Sequence, residues 1–159
     1  MLEAAIAARL VELGLELPAQ HPPRHPYLAA REDQGVLYLS GKTAMLDGAV
    51  QYRGPLLGPD DVELGRAAAS LCALQLLAAI EQAAGLHRVQ AILKLTVFVS
   101  SGPEFESQPE VANAASELLV SVLGPVGEHT RSAVGVAALP GASAVELEAV
   151  VRLKTEGAA

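Results

Sequence analysis

Tryptophan is absent from the 159 residues, and aromatic residues make up only 3% of the chain. Apolar residues nevertheless reach 51%, so a core would be built mainly from alanine, valine and leucine. This length suits one domain with one such core. Fourteen glycines and ten prolines disfavour a simple helical bundle, because both residue types interrupt helices.

Basic residues are also scarce, and the formal net charge is −7. This balance disfavours nucleic acid as a partner, because phosphate binding relies on clustered lysine and arginine. The single cysteine, Cys72, excludes an intrachain disulfide, and its apolar neighbours predict a buried, inert thiol. The four histidines lack the spacing of zinc ligands, so we expect neither metal nor cofactor.

The N-terminus lacks the pattern of a signal peptide, and no apolar run approaches the roughly 20 residues of a membrane span. We therefore expect a cytoplasmic protein with no membrane partner. Residues 4–13 predict a short amphipathic helix, and the four prolines within 18–26 predict an extended joint after it. The chain accordingly divides into an N-terminal helical extension, 1–20, and a main domain, 21–159.

Within the main domain, strands are predicted at 36–40 and 49–53, with Asp47-Gly48 as a hairpin turn between them. A long helix should begin at Asp60 or Asp61 and end near Ala84, and a second should cover about 107–123. A strand over 89–99 separates the helices. The predicted core faces are Leu64, Ala68, Leu71, Leu74 and Ala78 on the first helix, and Leu93, Leu95, Val97 and Val99 on that strand.

The last part of the chain reads as a hairpin of strands 132–138 and 145–153, broken at Leu139-Pro140-Gly141. This order of elements favours one sheet with both long helices packed on the same face. The opposite face carries apolar side chains, so we expect another subunit to cover it.

Arg131 stands directly before the first of these two strands, and Glu146 lies near the start of the second. A guanidinium can hold a carboxylate through two hydrogen bonds, and a glutamate on a strand can act as an acid or base. The alternative for Arg131 is an ordinary solvated or paired arginine. A charged, solvent-facing strand accounts for Glu148, whereas Glu146 fits such a strand and a site equally well. His129 could contribute to a pocket, but a surface loop is the favoured interpretation.

Two further positions carry polar or basic groups. Ser40-Gly41-Lys42 lacks the spacing of a phosphate-binding P-loop, so we expect Gly41 to permit a close approach to the backbone. Asn113, on the second long helix, is either an exposed polar residue or a hydrogen bonder at a pocket edge.

Beyond these patterns, the chain resembles the YjgF/RidA (endoribonuclease L-PSP-like) family from about Tyr27 to Leu153. The matching segments include Pro26-Tyr27, 36–41 and 111–114. The most specific are Arg131-Ser132, Leu139-Pro140 and the apolar-Glu-apolar-Glu strand that begins at Val145. Glu146 follows Arg131 by the family's fifteen residues. The lead-in 127–132, Gly-Glu-His-Thr-Arg-Ser, resembles the subgroup with an N-terminal helical extension.

The resemblance implies a chorismate-mutase-like α+β fold, a mixed β-sheet with two long helices packed on one face. It also implies a homotrimer whose sheets line a central barrel, with sites in clefts between subunits. The implied activity is hydrolysis of enamines and imines such as 2-aminoacrylate to a 2-keto acid and ammonia. The implied partner is therefore a small anionic imino or keto acid. The alternative is a binding module for small carboxylates without turnover.

By the same resemblance, Arg131 would grip the substrate carboxylate and Glu146 would activate water. Tyr27, Ser40 and Gly41 would line the pocket. Asn113 is a further candidate for substrate binding. Two candidates depart from the family pattern: Lys42 stands where glutamine is usual, and Ala133 where active deaminases often have cysteine. Lys42 would favour a dianionic or phosphorylated ligand.

Overall fold

A five-stranded mixed sheet carries two long helices on one of its faces in the computed structural model, which describes residues 2–155 and side chains from residue 4 onward. The sheet has the order β1-β2-β7-β5-β6, and β3 and β4 form a separate small hairpin. The elements are α1 (Leu2–Glu12), β1 (Ala30–Asp33), β2 (Val36–Thr43), β3 (Met45–Leu46), β4 (Ala49–Val50), α2 (Val62–Ala83), β5 (Val89–Ser100), α3 (Gln108–Leu123), β6 (Thr130–Val136) and β7 (Val145–Leu153). The predicted α+β architecture is thereby confirmed.

Two glycines end the long helices as the sequence predicts. Gly85 and Gly124 have φ angles of 84° and 69°, in the left-handed region that favours glycine. At its start, α2 differs from the prediction. Asp61 is the N-cap residue, but its carboxylate accepts hydrogen bonds from the loop N–H groups of Leu57 and Gly58 instead of capping the helix.

The predicted hairpin of the last two strands is wrong. β6 pairs with β5 in parallel, and β7 lies antiparallel between β2 and β5. The cause is topological: β5, α3 and β6 form a crossover unit, which places parallel strands side by side. The eight residues between β6 and β7 then carry the chain past β5 to the centre of the sheet.

The Asp47-Gly48 turn is confirmed, with both residues at positive φ, but it joins only the two-residue strands β3 and β4. The predicted strand 36–40 is longer, extends to Thr43, and pairs with β1 and β7 instead. A register irregularity in β2 between Leu39 and Lys42 interrupts its pairing with β7.

Two predicted core faces need correction. In β5 a register irregularity after Ile92 turns Leu93 outward, and this side chain is 38% exposed. In α2 the residue Leu64 is also exposed, while Ala69, Cys72 and Leu76 are fully buried. Because α2 is apolar on nearly all sides, its periodicity does not single out the core-facing side.

The segment Pro59–Ala83, which contains α2, is long and apolar enough to cross a membrane by length and composition. Of its most apolar stretch, 56% is buried inside the domain, as is typical of a core helix. The helix packs against α3 and against strands β2 and β7.

α1 lies against α3. Ile6 is buried in the common core, and Arg9 donates a hydrogen bond of 3.2 Å from Nη1 to the Val122 carbonyl. No helix or strand occurs in the proline-rich segment 18–26. The division into an extension and a main domain stays a prediction.

Candidate functional site

Arg131 lies on β6, at the edge of the sheet, and its side chain extends toward α3. It pairs with the buried Leu95 of β5, so both point to the helix side. The Arg131 Nη1 donates to the Asn113 Oδ1 and the Ser116 Oγ, each at 3.0 Å. Asn113 and Ser116 stand one helical turn apart on α3, and Nη2 donates to the Pro109 carbonyl at 3.3 Å. Helix α3 thus holds the guanidinium from one side.

These contacts leave the charge of Arg131 uncompensated by any acidic residue of the described chain. Its acceptors are an amide, a hydroxyl and a carbonyl, and the ion pairs found among residues 4–155 involve other arginines. Three of its five N–H groups are used. The other two, together with the full positive charge, are available to a ligand carboxylate.

Ser116 connects Arg131 to His129. The Ser116 Oγ lies 2.9 Å from the His129 Nε2, and the His129 Nδ1 lies 2.6 Å from the Gly127 carbonyl oxygen. Sequence reasoning missed Ser116 and favoured a surface loop for His129. The signal that identifies Ser116 is its spacing, because a residue three positions after Asn113 shares its side of the helix.

Glu146 lies on β7 and points to the open face of the sheet, since its neighbours Val145 and Leu147 are fully buried on the helix side. Its carboxylate lies over Gly41 of β2. A Cβ atom at Gly41 would stand 2.0 Å from the Glu146 Oε1. Only glycine leaves room for the carboxylate there, so the close approach expected at Gly41 is made by Glu146 itself.

The pKa of Glu146 is raised above the usual glutamate value, first by burial and then by the neighbouring negative charge of Glu148. A carboxylate in such surroundings holds a proton more readily than a solvated one. This is the direction that general acid–base catalysis near neutral pH requires of a carboxyl group.

Ser40 directly precedes Gly41 on β2 and contacts the segment that follows Tyr27. The Ser40 Oγ donates to the Leu28 carbonyl at 2.6 Å, and the Ser40 N–H donates to the Ala29 carbonyl. Tyr27 directly precedes Leu28 and is 54% exposed. A groove of about 380 Å³ on the open face is lined by Leu28, Tyr38, Ser40, Lys94, Thr96 and Glu148, among others.

Two further predicted site residues, Ala133 and Lys42, lie on the helix side of the sheet. Ala133 follows Arg131 by two positions on β6 and packs against the core on the helix side. Lys42 pairs with the buried Leu147, also on the helix side, and donates from Nζ to the Gln20 Oε1 at 3.0 Å. Burial lowers the pKa of Lys42. The structure does not bring Lys42 into the group around Glu146.

The predicted residues therefore form two groups. Arg131, Asn113 and Ala133 lie on the helix side near the β6 edge, whereas Glu146 and Gly41 lie on the open face. β5 separates β6 from β7, and Glu146 is opposite Phe98 while Arg131 is opposite Leu95. Two strand spacings and three residues along the strands separate the Cα atoms of Arg131 and Glu146 by about 14 Å. Within one chain the two side chains point to opposite faces.

Among the described residues, no group of three or more His, Cys, Asp or Glu side chains is arranged to hold a metal ion. Cys72 is fully buried, its thiol lies 3.4 Å from the Val145 carbonyl oxygen, and burial, followed by the charge of Glu146, raises its pKa well above the usual value. The prediction of a buried thiol is confirmed, and the raised pKa disfavours the reactive thiolate.

Fold and side-chain arrangement define an α+β protein with an open sheet face and a candidate site divided between two sides of the sheet. The family model described as Endoribonuclease L-PSP matches residues 18–153, and the chain belongs to this family, the YjgF/RidA family.

Two relatives match nearly the whole chain. Protein TCP17 of Trypanosoma cruzi is 43% identical over 93% of this chain and 94% of its own length. The crystal structure of Atu1372 from Agrobacterium tumefaciens, a protein of unknown function, is 39% identical and has a TM-score of 0.87, covering 97% of this chain and 96% of that one. Escherichia coli TdcF, solved with bound serine, shares the fold at 20% identity and a TM-score of 0.62, covering 86% and 98% of the two chains.

Proposed function

We propose that this protein hydrolyses small enamines and imines that carry a carboxylate, such as 2-aminoacrylate, to a 2-keto acid and ammonia. The observation that carries the proposal is Arg131. Among the described residues, its acceptors are all neutral, and two of its N–H groups stay unused. An arginine held in this way fixes the position of a small anion through charge-assisted hydrogen bonds. The serine bound to TdcF, itself a small carboxylate, supports this ligand class.

Glu146 would supply the proton transfers. The imine tautomer of 2-aminoacrylate is attacked by water at the carbon of its C=N bond, and the carboxylate of Glu146 takes a proton from that water. Because the imine nitrogen enters protonated, this addition gives a neutral carbinolamine. Glu146 then passes its proton to the amino nitrogen, and the C–N bond breaks as the hydroxyl proton moves to Glu146, which leaves a keto group and free ammonia; that last proton goes to the ammonia or to solvent. A carboxyl group with a raised pKa suits both steps, because it must accept and release a proton in one cycle.

The two groups of residues would meet between two copies of the chain. In one chain Arg131 and Glu146 lie on opposite faces about 14 Å apart, too far for one small substrate to touch both. No part of the chain that the structure describes covers the β6 edge strand or the open sheet face. A homotrimer would place Arg131 and Asn113 of one copy near Glu146, Ser40 and Tyr27 of the next.

Turnover of freshly generated 2-aminoacrylate tests this function, with keto-acid release measured against the buffer rate. We expect Arg131→Ala and Glu146→Gln each to lower kcat/KM by at least about 100-fold. Glu63→Gln and Arg53→Ala are matched controls, because both side chains are exposed and neither lines the groove on the open face. A wild-type rate equal to that of buffer would contradict the proposal.

The second candidate is a binding module for small carboxylates, and the bound serine of TdcF favours it as much as it favours an enzyme. Isothermal titration with serine and pyruvate separates the two. A binding module would keep its affinity for these ligands in Glu146→Gln and lose it in Arg131→Ala. It would release no keto acid from 2-aminoacrylate in the turnover assay.

A further inference from the structure

We propose that His129 and Ser116 are positioning residues that set the orientation of the Arg131 guanidinium toward its ligand. The inference rests on the proposed function for the identity of the ligand, but its evidence is the hydrogen-bond chain that joins these three side chains. That chain begins at the guanidinium and ends at a buried backbone carbonyl.

The tautomer of a neutral His129 follows from its partners. A carbonyl oxygen only accepts hydrogen bonds, so the Nδ1 at 2.6 Å from the Gly127 oxygen carries a proton. In the neutral imidazole Nε2 is then an acceptor, and the hydrogen of the Ser116 hydroxyl at 2.9 Å points toward it. The Ser116 oxygen is left to accept from the Arg131 Nη1 at 3.0 Å. The Arg131 N–H, the Ser116 O–H and the His129 Nδ1–H therefore all point in the direction from Arg131 to Gly127.

The Gly127 end of this series of hydrogen bonds is held in place by packing against α3. Gly127 is buried at the end of the 3-10 turn Gly124–Gly127, which follows α3 directly. A Cβ atom on Gly127 would stand 2.6 Å from the Leu119 carbonyl oxygen, so the turn lies tightly against α3. The Gly127 carbonyl consequently fixes the imidazole, and the imidazole fixes the rotation of the Ser116 hydroxyl.

The effect on Arg131 follows from the direction of these bonds. A serine hydroxyl that rotates freely is a poor fixed acceptor, because its own hydrogen can point at the guanidinium. With that hydrogen committed to His129, Ser116 presents a lone pair to Nη1, and Asn113 accepts from the same nitrogen. The unused N–H groups of Arg131 are thereby aimed away from α3, and hydrogen bonds in series strengthen one another.

A pair of substitutions at one position tests the inference. His129→Gln keeps an amide oxygen within reach of Ser116, whereas His129→Asn keeps a donor for the Gly127 carbonyl but is too short for Ser116. We expect His129→Asn to raise the KM, or the Kd for pyruvate, about tenfold with kcat within about twofold, and His129→Gln to stay within about threefold of wild type. Equal losses in both variants, or a loss confined to kcat, would overturn the proposal.

Nitrogen-15 NMR of the wild-type protein gives a readout that needs neither turnover nor ligand. At neutral pH the proposal requires a proton on the His129 Nδ1 and none on Nε2, and slowed rotation of the Arg131 guanidinium that speeds up in Ser116→Ala. The opposite tautomer, or a guanidinium unaffected by Ser116→Ala, would overturn it. If the enzyme proposal alone is wrong, 2-aminoacrylate is not turned over while both NMR results remain as expected.

Discussion

Gly41→Ala should move the Glu146 carboxylate without removing it. The new Cβ would stand 2.0 Å from Oε1 and 2.8 Å from Cδ of Glu146, far inside normal contact distances. The carboxylate must retreat by at least about 1 Å to restore ordinary contact, and a displacement of this size at a reacting group costs about 100-fold in rate. That factor corresponds to about 2.7 kcal/mol of transition-state stabilisation.

The same substitution should leave the fold intact. Gly41 is not among the residues with positive φ, so alanine fits the backbone. The atoms that must yield are the end of a flexible side chain and not backbone. We therefore expect the free energy of unfolding to change by no more than about 1 kcal/mol. Gly58→Ala is the matched control, because Gly58 has an extended φ of −159° and open space around its Cβ position.

The assay combines kcat with a carbon-13 NMR titration of the Glu146 carboxyl. Displacement toward solvent should lower the pKa of Glu146 toward the usual glutamate value, since burial is the main cause of its rise. Full activity in Gly41→Ala, with an unchanged titration, would refute the position assigned to the carboxylate. A cooperative loss of folding would refute the claim that Glu146 alone yields.

Two further predictions concern stability. Burial and Glu148 raise the folded-state pKa of Glu146 above its unfolded value, so folding stability falls as pH rises through that window. Glu146→Gln should therefore raise the Tm at pH 7, with the difference shrinking below the usual glutamate range; a lower Tm at pH 7 would contradict this. Leu147→Ala should cost about 3 kcal/mol in urea unfolding, because Leu147 is fully buried. Val11→Ala, at a position of α1 that is 80% exposed, should cost under about 1 kcal/mol, and equal costs would contradict the assigned core.

Local features of this fold could be predicted from the sequence because their causes are local. Glycines at positive φ end α2 and α3, and the alternation of β7 places Val145, Leu147 and Val151 in the core. The pairing of β6 and β7 could not be predicted in this way. Either strand fits several neighbours by pattern, and its actual partner is decided by the crossover through α3 and by burial at the sheet centre.

The candidate site, too, could be predicted from the sequence only in part. Arg131 and Glu146 could be selected by their chemistry and spacing, but sequence spacing could not reveal that β5 separates them and that they point to opposite faces. The roles of Ser116 and His129 depend on contacts across α3 and the turn that follows it. Lys42 could be selected as a site residue from its position beside Gly41, but the irregularity in β2 turns its side chain to the helix side, toward Gln20.

The central claim is that Arg131 of one copy and Glu146 of another form one site. Mixing two inactive variants tests this claim most directly. Arg131→Ala and Glu146→Gln are unfolded together in equal amounts, refolded, and assayed for turnover of 2-aminoacrylate. In a cyclic oligomer with random assortment, about a quarter of the interfaces combine an intact Arg131 with an intact Glu146, so about a quarter of wild-type activity should return. A mixture no more active than the two variants refolded separately would contradict the shared site.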